Sequence, residues 1–354
     1  TVGKSIIQDL QPDLFVTSHG IYSTWGCCYD VVSQYGVPSM VYAIHGSRPH
    51  HLWLFDAISQ DVASSPDWQD KKDSLLSREA ENRVKKYMEA RVDKKTFDNQ
   101  VYYENLEVSN LPKDIQNFLG EERHIEQGQK GREQGVTFGL FPNVPWDGNV
   151  SERNTVFDGV VQWITQTIRQ IAGTEHRLVV RYHPSEATMM KGARALSSIV
   201  EDHVEIERIE NVLAIPSDEK VDTYRLLDFI DLGLVYDGTL ATEMTYLDIP
   251  VIAVGRGRFS QKDWAYMPSS QQKYSQWIKS PAPILSDFVN TREERWEACR
   301  RFVHWINFES SYDFPLLQHE YPIRLGRAGD LEPRDIINAR MKKVLDRLQK
   351  EITP

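Results

Sequence analysis

Between residues 135 and 255, short apolar runs alternate with stretches of helical spacing, and this pattern restricts the possible folds more than any other feature of the chain. GVTFGLFPN (135–143) reads as a strand. NTVFDGVVQWITQTIRQIAG reads as an amphipathic helix with Gly173 near its end, HRLVVRYHP as a strand and EATMMKGARALSSIV as a single helix. HVEIER is expected to form a short strand, DTYRLLDFI a helix, DLGLVYDG a strand, TLATEMTYLDI a helix and PVIAVG a strand. Such a repeat predicts a parallel sheet with helices on both faces, a doubly wound α/β layer. Ligands of these sheets bind outside the carboxyl ends of the strands. The residues to inspect are therefore Pro142-Asn143, His183-Pro184, Asp237-Gly238-Thr239 and Gly255-Arg256-Gly257.

The start of the chain alternates as well. Residues 1–11 read as a helix, DLFVTSHG (13–20) as a strand, VVSQYG as a helix end and PSMVYAIHG (38–46) as a second strand. From about 56 to 134 the chain turns polar. DKKDSLLSREAENRVKKYMEARVDKK has helical spacing with mixed charge, and GEERHIEQGQKGREQG reads as a solvated linker. Two further helical patterns fall at about 291–307 and 333–351. The expected division is 1–134 as one Rossmann-like domain with a helical insertion, 135–330 as a second, and 331–354 as a terminal helix packing back on the first. A chain of 354 residues, 40% of them hydrophobic, suits two domains.

A formal charge of −10 argues against non-specific nucleic-acid binding, which needs clustered Lys and Arg. The three cysteines, Cys27, Cys28 and Cys299, form neither a disulfide framework nor a zinc spacing, and fit a reducing cytoplasm. The sequence shows no signal peptide and no apolar run long enough to span a membrane. VGKS (2–5) lacks the upstream glycine of a phosphate-binding loop, and GRGRF (255–259) lacks the spacing of a dinucleotide fingerprint. No G-x-S-x-G occurs.

LVYDGTLATEMTYLDIPVIAVG (234–255) carries one candidate site. Gly238 permits a tight turn, the Thr239 hydroxyl can cap the following helix, and free N–H groups there suit a phosphate. Glu243 sits one turn inside, where it can accept from a ribose diol or simply complement the helix dipole. His183, at the end of its strand, can donate to a phosphate oxygen with Arg181 near or below it, and Pro184 holds its backbone extended. In LFPNVPWDGNV (140–150), Asn143 and Asp147 can bond hydroxyls, while Trp146 can wall a sugar or simply pack. In VTSHGIYSTWGCCYDVV (16–32), His19 ends a strand and Tyr22 and Trp25 follow. With histidine's ordinary pKa of about 6.5, His19 suits a general base. A structural strand-end histidine has the same local pattern, and His45 is a rival for the role.

LFPNVPWDG, LVVRYHPSE, the 234–255 stretch, an aromatic-rich FSQKDWAYMPSSQQKYSQWI and the N-terminal TSHGIYSTWG together resemble the bacterial capsule polysaccharide biosynthesis proteins. Related His-Pro signatures occur in bacterial Kdo and sialic acid transferases. The resemblance implies a GT-B glycosyltransferase with two facing Rossmann-like domains and parallel sheets, working on a nucleotide sugar without a metal. It implies donor-phosphate contacts from His183 and from Asp237, Gly238 and Thr239, a ribose contact from Glu243 and an acceptor-side role for His19, which makes His19 and His183 the expected catalytic residues. By their positions in the sequence, Asn143, Arg181 and Thr242 join the donor side, and Tyr22, Trp25, Trp146 and Asp147 form the acceptor or sugar pocket. No cofactor is expected; the donor nucleotide is left open, with CMP or UDP favoured, and the acceptor is a glycan or lipid-linked glycan. The expected location is the cytoplasm, with peripheral contact to inner-membrane assembly machinery. Only Thr239 and Thr242 supply hydroxyls where relatives carry a Ser/Thr-rich turn. The same turn also resembles that of UDP-GlcNAc 2-epimerases, which would isomerise a nucleotide sugar. A non-catalytic scaffold of a capsule assembly complex is the third reading.

Overall fold

A computed structural model of the chain describes residues 2–44, 50–93, 111–120, 135–144, 156–189, 192 and 194–313. The chain forms two compact units. Of the described residues, 2–87 and 301–313 make the first, and 88–93 and 111–300 the second. Among the described residues there are nine strands: β1 (Phe15–Ser18), β2 (Ser39–Ile44), β3 (His50–Phe55), β4 (Thr137–Phe141), β5 (Arg177–Arg181), β6 (Val212–Ile215), β7 (Leu232–Val235), β8 (Val251–Ala253) and β9 (Ser311–Asp313).

The first unit is an α/β layer. β1 and β2 pair in parallel, as the crossover through the Cys27–Gln34 helix requires, and β3 and β9 extend the sheet antiparallel in the order β1-β2-β3-β9. One face of the sheet is fully buried through Val41, Ala43, Leu52 and Leu54. Trp68 adds to this unit's core, its ring 5.3 Å from Phe302 and 5.4 Å from Trp305.

The second unit carries the doubly wound sheet. Its five strands are all parallel, in the order β6-β5-β4-β7-β8. Every residue of β4, β7 and β8 is buried, which explains why these strands read as continuous apolar runs: both faces are covered. The Val160–Ile171 helix buries Trp163, Ile164, Thr167, Ile168 and Ile171, a 3.6-residue stripe. Its Trp163 indole N–H donates to the Tyr274 hydroxyl at 3.0 Å, and that oxygen lies 2.7 Å from Thr167 Oγ1. On β7, a Cβ at Gly233 would lie 2.4 Å from Met244 Sδ, so the bare glycine lets the Leu240–Tyr246 helix settle close against the strand.

Three local expectations are corrected. HVEIER is not a strand: Ile206–Arg208 forms a 3-10 turn that still buries Ile206, and the strand beside β5 is β6, four residues later. EATMMKGARALSSIV is broken into helices Ser185–Met189 and Leu196–Glu201, with Gly192 at a φ of +89° between them. The helix expected from 154 starts at Val160, after bends at 156–159. No helix among the described residues is long and apolar enough to cross a membrane. The 333–351 pattern, Trp146, Asp147 and His45 lie outside the described residues.

Candidate functional site

In the second unit the strand order reverses between β4 and β7, the topological switch point where a doubly wound sheet opens a crevice. The loops leaving these two strands meet there. The backbone N–H of Asp237 donates to Asn143 Oδ1 at 3.3 Å, and that oxygen sits 3.7 Å from where a Cβ on Gly238 would be. Asn143 thus ties the β4 exit to the Gly238 turn.

Asp237 holds the loop after β8. Its Oδ1 accepts from the Phe259 N–H at 3.4 Å and from the Ser260 hydroxyl at 3.3 Å. A Cβ at Gly257 would overlap the Asp237 carboxylate, 1.7 Å from its carbon, and one at Gly255 would lie 2.6 Å from the Tyr236 carbonyl oxygen. The two glycines of GRGRF therefore make room for the β7 exit.

At the end of β5, on the other side of β4, stands His183. β5 and β7 each neighbour β4, so their ends are two strand spacings apart, about 10 Å. The Ser185 N–H donates to His183 Nδ1 at 3.2 Å and the Ser185 hydroxyl lies 2.6 Å from the same nitrogen. A peptide N–H can only donate, so Nδ1 is the acceptor and the ring proton resides on Nε2. Burial, with a contribution from the Arg181 guanidinium, pushes the His183 pKa down to about 4. The imidazole is therefore a neutral donor at pH 7. Arg181 is 2% exposed and its guanidinium donates to carbonyls of the 216–221 loop: Pro216, Glu219 at 3.1 Å and Val221 at 3.5 Å. Its fork anchors that loop, and its charge reaches His183 through space.

The Leu240–Tyr246 helix differs from expectation at its start. Thr239 makes no side-chain cap, and its Oγ1 instead accepts from Arg91 Nη2 at 3.3 Å. The Thr242 hydroxyl donates back to the Thr239 carbonyl at 2.7 Å. Glu243 is 2% exposed. Its Oε1 accepts from Arg91 Nε at 2.6 Å and its Oε2 from the Tyr224 hydroxyl at 2.9 Å. Tyr224 is presented by the Thr223–Leu227 helix, whose N-terminus Asp222 caps by accepting from the Tyr224 N–H at 2.9 Å. Removing one partner of such a buried ion pair typically costs about 3–5 kcal/mol.

Sequence reasoning missed Arg91, Tyr224 and Ser185, and named Gly257 only as a strand-end position to inspect. Arg91 did leave a trace. On the Arg78–Val92 helix the buried positions are Ala80, Val84, Met88 and Arg91, so the arginine continues an apolar stripe.

The first unit has its own cluster after β1. His19 stacks on Trp25 with ring centroids 5.6 Å apart at 18°, and Tyr22 meets both rings edge-on at 6.0 and 5.9 Å. Tyr22 and Trp25 are among the exposed large side chains. The backbone is left-handed at His19 (φ 55°), Gly20 (66°) and Tyr22 (63°). Gly20 is also pressed for space, since a Cβ there would lie 2.7 Å from Ile58 Cγ2. His19 is held by its N–H donating to the Tyr42 carbonyl at 2.7 Å and its carbonyl accepting from Ser59 N–H at 3.0 Å, while Ser18 Oγ lies 2.6 Å from Nδ1. The structure thus groups Asn143, Asp237, Gly238, Thr239, Thr242 and Glu243 at one strand end, places Arg181 and His183 at another of the same sheet, and sets His19, Tyr22 and Trp25 in the first unit.

No family model and no curated protein matches the sequence. Among solved structures, the chain is similar to the β-Kdo 2,4 transferase of KpsC from Thermosulfurimonas dismutans. The identity is 10% over 85% of this chain and 81% of that one, with a TM-score of 0.45. The β-Kdo 2,7 transferase of the same protein gives 8% identity over 87% and 80%, with a TM-score of 0.44. An MnaA–UDP co-structure from S. aureus gives 12% identity over 85% and 74%, with a TM-score of 0.34.

Proposed function

We propose that the chain is a GT-B-type glycosyltransferase that moves a sugar from a nucleotide-sugar donor to a glycan or lipid-linked acceptor in surface polysaccharide synthesis, without a metal. The observation that carries this reading is the switch point of the parallel sheet, where Asn143 joins the β4 exit to the Gly238 turn and the β5 exit presents His183 with its proton on Nε2. Three of the stretches that resemble the capsule family, those through Asn143, His183 and Gly238, run through these same strand ends, while TSHGIYSTWG follows β1 in the first unit.

As the glycosidic bond breaks, negative charge collects on the leaving phosphate. A fixed imidazole N–H and the peptide N–H groups of the Gly238 turn stabilise that charge more than the ground state. A neutral His183 donates without itself titrating near pH 7. On the acceptor side, His19 takes the hydroxyl proton, and the exposed Tyr22 and Trp25 rings offer apolar faces to a sugar.

A melting assay with CMP, UDP and GDP, followed by transfer from the matching sugar nucleotide, tests the reading. One nucleotide is expected to raise the melting temperature, and product is expected only with an acceptor glycan present. Sugar isomerisation with no acceptor would replace the transferase reading by an epimerase, and no shift with any nucleotide would leave a scaffold.

A further inference from the structure

Glu243 is the residue that the resemblance assigns to the donor ribose, yet both of its carboxylate oxygens are engaged inside the protein and it is 2% exposed. The arginine that engages it also reaches the hydroxyl at the head of the turn, Thr239 Oγ1. We propose that Arg91 and Glu243 form a buried positioning pair that turns the Thr239 hydroxyl into a donor for an anionic ligand group, and that the ribose 2′-hydroxyl is not read by Glu243. The proposal rests on the donor site described under the proposed function.

The argument is one of hydrogen-bond accounting. A threonine hydroxyl has one hydrogen to give and two lone pairs. Used as a helix cap, the oxygen accepts from the backbone. Here no such cap forms, and a lone pair is filled by a guanidinium instead. The oxygen keeps its own hydrogen, and a charged donor on its lone pair polarises that O–H toward an acceptor. Glu243 fixes the guanidinium through Nε, and Tyr224 fixes the carboxylate from its other oxygen, so the orientation is set by packed side chains from three helices. Each oxygen keeps a second lone pair, but at 2% exposure the carboxylate is withheld from a ribose by burial rather than by lack of acceptor capacity.

The test uses the full chain and two ligand series, CMP, UDP and GDP with their 2′-deoxy counterparts, measured by calorimetry. For the nucleotide that binds, the 2′-deoxy form is expected within about threefold of the ribo form. Thr239→Val is expected to weaken both forms equally, by roughly tenfold, and Thr239→Ser to restore them. Arg91→Lys and Glu243→Gln are expected to add little further loss once Thr239 is valine. A loss of tenfold or more on removing the 2′-hydroxyl, abolished by Glu243→Gln, would show that Glu243 reads the ribose and would overturn the proposal while leaving the donor site intact. Unchanged affinity in Thr239→Val would overturn it as well. Absence of binding by every nucleotide would overturn the donor reading and this inference with it. The wild-type comparison needs no substitution, so it stands even where a variant of the buried pair fails to fold.

Discussion

The N–H of Ser185 is aimed at Nδ1 of His183, 3.2 Å away, and so decides which ring nitrogen carries the proton. Two residues of separation let a strand end and the first residue of the Ser185–Met189 helix fix the tautomer locally. His183→Ala is expected to lower turnover about 10²–10³-fold, the usual effect of removing one donor to developing charge, with the fold retained. Wild-type turnover in this variant would remove His183 from the mechanism.

The depressed pKa of His183 makes a second claim. An unfolded histidine titrates near 6.5 and the folded one near 4, so between these values the unfolded chain binds the extra proton. Stability from this group is complete above pH 6.5 and declines as the pH falls toward 4, by at most about 3 kcal/mol at about 1.4 kcal/mol per pH unit. Denaturant titrations of wild type and His183→Gln at pH 7.5, 5.5 and 4.5 should show the wild type losing more stability on acidification. Parallel decline in the two proteins would contradict the assignment.

In the first unit, His19→Ala should abolish transfer while leaving nucleotide affinity unchanged, since its contacts lie with Ser18, Tyr42, Ser59 and the Trp25 ring. Calorimetry with the bound nucleotide separates the two effects, and lost affinity would move His19 to the donor side.

Gly257 tests the loop packing. A methyl group there meets the Asp237 carboxylate, so Gly257→Ala must displace Asp237 or the 257–260 segment. A loss of about 1–3 kcal/mol in stability, the range for overpacking, should accompany weaker nucleotide binding. Full stability together with full affinity would mean that the loop yields without consequence.

Within the second unit, Tyr274→Phe removes the acceptor of the buried Trp163 indole N–H. An orphaned buried donor costs about 1–3 kcal/mol, which thermal unfolding would register. Nucleotide affinity should not change.

Legibility in the sequence followed the physics of each element. β4, β7 and β8 were readable because strands covered on both faces must be apolar throughout. β3 was not anticipated: it opens with two histidines and pairs with β2 and with β9, some 260 residues later. HVEIER misled because its alternation suits a strand, while a 3-10 turn buries Ile206 equally well. The break after Met189 is tertiary, since Glu186 Oε1 accepts the Leu196 N–H at 2.8 Å and caps the second helix from outside it. The strand-end positions of Asn143, His183 and Gly238 followed from the alternation. Arg91 did not, because a charged helix reads as solvated and its carboxylate partner lies 152 residues away. The expected cap at Thr239 fails for a local reason: its backbone is already helical (φ −56°, ψ −29°), which a capping residue is not, and its oxygen meets the Arg91 guanidinium instead.

The loop after β1 sets backbone comfort against ring packing. Left-handed backbone at Tyr22 disfavours folding by roughly 1–3 kcal/mol, and glycine would relieve it. Tyr22→Gly would relax the chain and, in the same step, remove the ring that meets His19 and Trp25 edge-on, so the two effects oppose each other in any measurement of stability.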